Sequence, residues 1–195
     1  MSKNSNFSKS EIELILNQAI IQEKLLVLKK ITELLQQLGF DAEKQIDPFL
    51  DTKKPKVSKG ENLNGYPFRV LDYPRIFTEK NVFAFRTLFW WGNFVSFTLH
   101  LKGTFLNENY KKLAQLTHRY PCSLYLSTDG NEWSHDINEK NYFKLNAKSL
   151  SQITIKESSF LKIVQQEPIS QINNISKSYY QFLNRLIVPL CNDRI

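Results

Sequence analysis

The chain has 195 residues, of which 42% are hydrophobic, 13% aromatic and 23% charged. This length suits a single domain spanning residues 1–195, and the apolar content excludes an intrinsically disordered chain. The formal net charge of +7 points either to an anionic partner or to a soluble lysine-rich surface. We prefer the second interpretation because the lysines are scattered along the sequence.

The N-terminal sequence lacks the apolar core of a signal peptide, and no apolar run approaches the ~20 residues of a membrane span. The two cysteines, Cys122 and Cys191, do not form a Cys-x-x-Cys pair, so no disulfide framework is implied. We therefore expect a cytoplasmic protein with free thiols and no association with a membrane.

The first predicted element is a long helix. Residues 1–8 read as a disordered polar tail. Ser8 and Ser10 are candidate N-caps, each followed three residues later by a glutamate. The helix is predicted over residues 9–39 and ends at Gly39, a residue type common just after a helix.

Apolar residues cover more than half of the circumference of this helix, which is wider than the stripe of a helix packed on one core. We therefore expect the helix to have two neighbours. One interpretation is a homodimer formed through this helix. The other is that the helix lies between its own sheet and the C-terminal helix. The sequence does not separate the two.

The rest of the chain predicts a connection, a sheet and a final helix. Residues 40–64 read as a polar, lysine-rich connection, and residues 65–195 as the sheet and the C-terminal helix. The predicted elements are a strand near 68–71, a hairpin in 81–103, a helix from Asn107 to about Thr117, a second hairpin turning at Asp129-Gly130, strands near 152–155 and 160–165, and a helix over 175–190. The fold class is α+β: a single antiparallel sheet of about 5–6 strands with the long N-terminal helix and the C-terminal helix packed on it.

The sequence FWWGNF, residues 89–94, predicts the turn of the central hairpin. A two-residue turn at Trp91 and Gly92 would place Arg86 on the apolar face, which is costly. A three-residue loop of Trp90, Trp91 and Gly92 suits a glycine with positive φ. That register puts these side chains on one face: Phe83, Phe85, Phe89, Val95, Phe97 and Leu99.

Trp90 and Trp91 then lie at the hairpin tip. They either cap the end of the sheet, which we prefer because large aromatic side chains are usually buried, or form an exposed binding patch.

The same register places Arg86, Ser96, Thr98 and His100 together on the opposite face. An arginine, two hydroxyls and a histidine can bind a phosphate or a carboxylate. The simpler interpretation, which we prefer, is the solvated face of an antiparallel sheet. With Trp90 and Trp91, these four residues are the candidate ligand-binding set.

No other group of residues supports catalysis or a cofactor. His118, Cys122 and His135, with Asp136, lack the paired spacing of zinc ligands. A Cys-His catalytic pair of Cys122 with a histidine has no flanking signature. Phosphate-loop, dinucleotide-binding and serine-hydrolase motifs are absent from the sequence. We therefore assign no catalytic residue, no metal and no cofactor.

Nucleic-acid binding remains an alternative, because basic chains with aromatic strands bind single strands. Against it, the aromatic strands contain few lysines. The stretch GYPFRVLDYPRIFTEKNVFAFRTLFWWGNFVSFTLHLKG, residues 65–103, resembles segments of uncharacterised proteins of Bacteroidota. That family has no assigned activity, so the resemblance implies no functional residue; it agrees with a cytoplasmic location.

The sequence as a whole favours a non-enzymatic interaction or scaffold domain. The alternatives are a weak binder of nucleic acid or of an anionic ligand, and an enzyme whose site the sequence does not reveal.

Overall fold

The computed structural model describes residues 6–46, 50–120, 122–128, 130–135, 137, 142–145 and 160–192. Within them the helices are α1 (Lys9–Leu16), α2 (Gln18–Ile46), α3 (Thr104–His118), α4 (Ile175–Phe182) and α5 (Val188–Asn192). A 3₁₀ segment, Ile169–Asn174, precedes α4, and a π-helical turn, Leu183–Ile187, joins α4 to α5. The strands are β1 (Lys56–Leu63), β2 (Tyr66–Phe77), β3 (Val82–Trp90), β4 (Phe94–Lys102), β5 (Tyr125–Ser127), β6 (Phe143–Lys144) and β7 (Phe160–Pro168).

These seven strands form one sheet in the order β1-β2-β3-β4-β7-β5-β6, and every neighbouring pair is antiparallel. The predicted α+β class with a single antiparallel sheet, a long N-terminal helix and a C-terminal helix is confirmed, with slightly more strands than the predicted 5–6. Helices α2 to α5 pack on one face of the sheet and enclose the main core. No helix in the described ranges is long and apolar enough to cross a membrane.

The central hairpin supplies the middle of that core. Phe85 stacks on Tyr179 and Phe182 of α4, with ring centroids 5.1 and 5.2 Å apart. The six apolar side chains predicted to share one face all belong to the main core, and none is more than 5% exposed. Alternation along both strands therefore fixed the two faces correctly.

The loop of this hairpin lies one residue later than predicted. Phe89 pairs with Val95, and the loop consists of residues 91–93 rather than 90–92. Asn93 N–H donates to the Trp90 carbonyl at 3.1 Å, and Gly92 has the expected positive φ of 70°. Phe89 thus pairs two residues later in β4 than predicted. Because side chains alternate with a period of two, each one stays on its predicted face.

The predicted helix over 9–39 begins where expected, but it has a break and ends later than predicted. Ser8 caps α1 with a capping box to Glu11 as predicted, and a break at Asn17 separates α1 from α2. Helix α2 continues past Gly39 to Ile46. Gly39 faces β2, where an added Cβ would lie 2.9 Å from side-chain atoms of Leu71 and Pro55. The glycine therefore permits close packing and does not end the helix.

The predicted polar connection over 40–64 is also wrong. Its first residues belong to α2, and Lys56–Leu63 is the edge strand β1. Lysines are common on exposed edge strands, where their charge discourages pairing with another chain. The lysine-rich composition that indicated a linker is therefore equally typical of this strand.

Two predictions between the hairpin and β7 need correction. Helix α3 begins after Gly103, so Asn107 lies inside the helix and is not its cap. Strand β5 pairs with β6 and β7 instead of forming a hairpin across Gly130. Asp129 and the strand predicted near 152–155 fall outside the described residues.

The strand predicted near 160–165 and the C-terminal helix are confirmed. The helical run is interrupted by the π-helical turn, in which Val188 N–H donates to the Leu183 carbonyl. Pro189 explains the interruption, because a proline lacks the N–H for a regular helical bond and its ring clashes with the preceding turn.

Candidate functional site

The face of the sheet opposite the helices carries a polar cluster. Arg86, Ser96, Thr98 and His100 lie together there, as predicted. The face is not solvated as we expected, because residues 130–135, which we call the covering segment, lie over it. Ser96 and His100 are only 3% and 5% exposed.

Arg86 is engaged by neighbours on two sides. Its Nε and Nη2 donate to the two carboxylate oxygens of Asp72 at 2.7 and 3.0 Å, a bidentate pair. Its Nη1 lies 3.3 Å from Nε2 of His135 in the covering segment. An arginine cannot accept a hydrogen bond, so His135 accepts here through an unprotonated Nε2. Arg86 therefore has its charge balanced by Asp72.

Glu132 of the covering segment lies between two basic side chains of β4. Lys102 Nζ donates to Glu132 Oε2 at 2.9 Å, and His100 Nε2 lies 3.0 Å from Glu132 Oε1. That second pair of atoms is not aligned as a hydrogen bond, and both atoms are buried. The His100 ring is held edge-on between Trp133 and Phe160, at 5.5 and 5.8 Å between centroids.

Lys162 of β7 also contacts the covering segment. Directly opposite His100 in the sheet, it is 5% exposed, and its Nζ donates to the Ser134 carbonyl at 2.7 Å. The ring of Tyr142 lies 5.7 Å from the nitrogen. Thus Arg86, Lys102 and Lys162 each bind a different residue of the covering segment.

The enclosed environment disfavours extra positive charge. Burial lowers the pKa of His100 to about 4; the cations of Lys162 and Arg86 add to this effect, and Glu132 opposes it. Burial and the same two cations likewise lower the pKa of His135 to about 4. Both imidazoles are therefore neutral at pH 7, in agreement with His135 accepting from Arg86.

A small cavity lies between the sheet and the covering segment. We call it the polar cleft; its lining includes Thr98, Glu132, Trp133, Tyr142 and Lys162. Its volume is about 20 Å³, which holds about one water molecule. A phosphate or a larger anion does not fit unless the covering segment moves.

The two tryptophans of the candidate set lie on opposite faces of the sheet. Trp90 is 7% exposed; it packs on Val70 and Leu88 beside the polar cleft, and its Nε1 donates to the Leu63 carbonyl at 3.0 Å. Trp91 is half-buried against the main core on the other side of the sheet, edge-on to Phe89. Neither ring forms an exposed stacking platform.

Sequence reasoning missed four residues of the cluster: Asp72, Glu132, His135 as a partner of Arg86, and Lys162. Only Lys162 could have been found from the sequence. It lies between Leu161 and Ile163, which face the core, so the alternation of a strand turns its side chain to the opposite face. The others depend on pairing and on the path of the covering segment, which no local pattern encodes. Among the described residues no group of three or more histidines, cysteines and acids is placed to hold a metal ion.

A second candidate surface is the N-terminal arm, residues 6–27, which comprises α1 and the first part of α2. None of its residues is buried, and the first buried residue of α2 is Leu28. Ten large apolar side chains of the arm are between 42% and 72% exposed. They are Phe7, Ile12, Leu14, Ile15, Leu16, Ile20, Ile21, Leu25, Leu26 and Val27.

The break at Asn17 gives the arm a concave side. Asn17 has non-helical angles, φ −81° and ψ 84°, and its N–H donates to the Leu14 carbonyl at 3.2 Å. Around this bend Leu14, Ile15, Ile20 and Ile21 line an open apolar groove. An exposed apolar surface formed by ten large side chains is characteristic of a binding site for another macromolecule.

Comparison of the chain with protein-family models, curated proteins and solved structures gave no match.

Proposed function

We propose that this protein is a non-enzymatic interaction module that forms a homodimer through its N-terminal arm. One observation carries the proposal: the arm is formed by α1, capped by Ser8, and the start of α2, and its ten large apolar side chains are 42–72% exposed. A helix that is apolar on most of its circumference is stable when other elements surround it.

The energetics favour association. Complete burial of a Leu, Ile or Val side chain contributes about 1.5–3 kcal/mol, so burying the exposed half of each contributes about 1 kcal/mol. Complete burial of all ten in both copies sets an upper limit on the order of 20 kcal/mol for a symmetric pair. That limit exceeds the cost of association, which is estimated at about 4–15 kcal/mol, and burial of half of the side chains is comparable with that cost.

The charge of the arm supports a second copy as its partner. The arm contains two lysines and three glutamates and so carries −1, whereas the rest of the chain carries +8. The arm is therefore nearly neutral, so two arms can pair with little electrostatic repulsion although each whole chain carries +7. Helices that lie on anionic membranes are instead rich in lysine and arginine, which makes a lipid surface the poorer partner.

The alternative as a binder of nucleic acid or of an anionic ligand has less support. Trp90 is buried, Trp91 is half-buried, and Arg86 is paired with Asp72. The candidate residues Trp90, Trp91 and Arg86 therefore supply neither the exposed ring nor the unpaired cation that such binders use.

The test is analytical gel filtration with light scattering on the full chain. The double variant Ile15→Gln/Ile21→Gln replaces two groove side chains that are 67% and 57% exposed, so the fold should be retained. The matched control is Phe40→Gln, which alters a 52% exposed apolar residue of α2 outside the arm. We expect the unmodified chain and the control to elute as dimers and the double variant as a monomer. Equal masses for all three proteins would contradict the proposal.

A further inference from the structure

Lys162 is an unusual lysine because it is buried without a carboxylate partner in the described residues. Its one hydrogen bond is to the neutral carbonyl of Ser134, at 2.7 Å. The nearby carboxylate of Glu132 contacts Lys102 through one oxygen and faces His100 with the other. Buried lysines are normally paired. An ion pair within the described residues therefore does not explain this position.

The surroundings of Lys162 favour the neutral amine. The guanidinium of Arg86 lies on the same face, and the aromatic rings of Trp133 and Tyr142 form part of the cleft wall. Burial, with a contribution from Arg86 and against the opposing charge of Glu132, lowers the pKa of Lys162 to about 8. A lysine that is desolvated and placed near another cation is the arrangement that makes the amine nucleophilic.

The geometry of the polar cleft limits what can reach this amine. Lys162 lines the cavity, whose volume of about 20 Å³ admits only a very small molecule. His100 and Glu132 also line the cavity, but Nε2 of His100 and Oε1 of Glu132 are buried against each other at 3.0 Å.

We propose that Lys162 forms an imine with a very small aldehyde, of the size of formaldehyde, that enters the polar cleft. The amine nitrogen attacks the carbonyl carbon, and a proton passes from nitrogen to oxygen to give a carbinolamine. The carbinolamine then loses water, and a carbon–nitrogen double bond replaces the carbonyl double bond. One amine and one carbonyl thus give one imine and one water, without an oxidant or a reductant. This reactivity is independent of the arm and of dimer formation.

The competing explanation is that Lys162 only anchors the covering segment through Ser134. The two explanations differ in reactivity. At pH 7 a pKa of about 8 leaves about 10% of the amine neutral, roughly 300 times the neutral fraction of an ordinary lysine. An anchoring lysine that is 5% exposed should instead react more slowly than lysines on the surface.

The experiment is reductive methylation of the full-length protein with formaldehyde and cyanoborohydride at pH 7, in limiting reagent, followed by peptide mass spectrometry. Formaldehyde is the probe because it is the smallest aldehyde. Lys29, 74% exposed, is the surface control, and Lys102 is the control for the same face. We expect Lys162 to be methylated at least tenfold faster than both. The preference should disappear in denaturant and should not be seen with a bulky aldehyde, pyridoxal phosphate.

Labelling of Lys162 at or below the rate of Lys29 would overturn the proposal and leave Lys162 as an anchor. A Lys162→Met variant confirms the site if it loses the fast-reacting position while the other lysines keep their rates. Because the main comparison uses the unmodified protein, the test does not depend on whether this variant folds.

Discussion

Acid should destabilise the protein through His100 and His135. His100 is buried on the sheet face and His135 is partly buried in the covering segment; burial with the neighbouring cations lowers each pKa from 6.5 to about 4. Between pH 6.5 and 4 the unfolded chain binds a proton at each histidine that the folded chain does not bind. Because the unfolded state binds more protons, the free energy of unfolding falls as the pH falls through this window.

The magnitude follows from the two shifts. Each shift of about 2.5 pKa units corresponds to about 3.4 kcal/mol, so full acidification through the window removes about 7 kcal/mol. Near pH 5.2 both histidines are protonated in the unfolded chain and neutral in the folded chain. The expected slope there is about 2.7 kcal/mol per pH unit.

The assay is urea unfolding at a series of pH values between 7 and 4.5, at one fixed protein concentration because association also affects stability. The matched variant is His135→Gln, whose side-chain oxygen can still accept from Arg86 but does not titrate. It should halve the slope near pH 5.2. An unchanged slope in the variant, or a flat profile in the unmodified protein, would refute the assignment of neutral buried histidines.

Three further substitutions test the packing. Gly39→Ala should destabilise the fold by about 1 kcal/mol in urea unfolding. The added Cβ would lie 2.9 Å from Leu71 and Pro55, and this crowding outweighs the better helix propensity of alanine. A stabilised variant would show that α2 and β2 are less closely packed. Gly92→Val should lower stability by about 2 kcal/mol because φ is 70°, whereas Gly92→Asn should be tolerated; equal melting temperatures would argue against the loop assignment. Asp72→Asn should cost about 2 kcal/mol because Arg86 loses its counter-charge, and a neutral result would mean that the pair is solvated.

Alternation within strands was the most informative feature of the sequence. It separated the core residues of β3 and β4 from Arg86, Ser96, Thr98 and His100, although the loop was displaced by one residue. This succeeded because a misplaced face would bury a charge in the apolar core. Helix periodicity likewise identified the C-terminal helix from its buried positions.

The errors arose where one local pattern fits two structures. Gly39 can end a helix or allow close packing, and only the position of Leu71 and Pro55 decides between them. The lysine-rich residues of β1 are typical of a linker and of an edge strand. The solvated face was predicted because a sheet face with polar residues is usually wet. The covering segment, which buries it, is held by contacts 28 to 49 residues apart in sequence.

The central claim is that the N-terminal arm joins two copies, and sedimentation equilibrium of the unmodified chain tests it most directly. The chain mass is 22.9 kDa. We predict a fitted mass of twice that value at micromolar concentration, with dissociation on dilution or after Ile15→Gln/Ile21→Gln. A mass of one chain at every concentration would contradict the account.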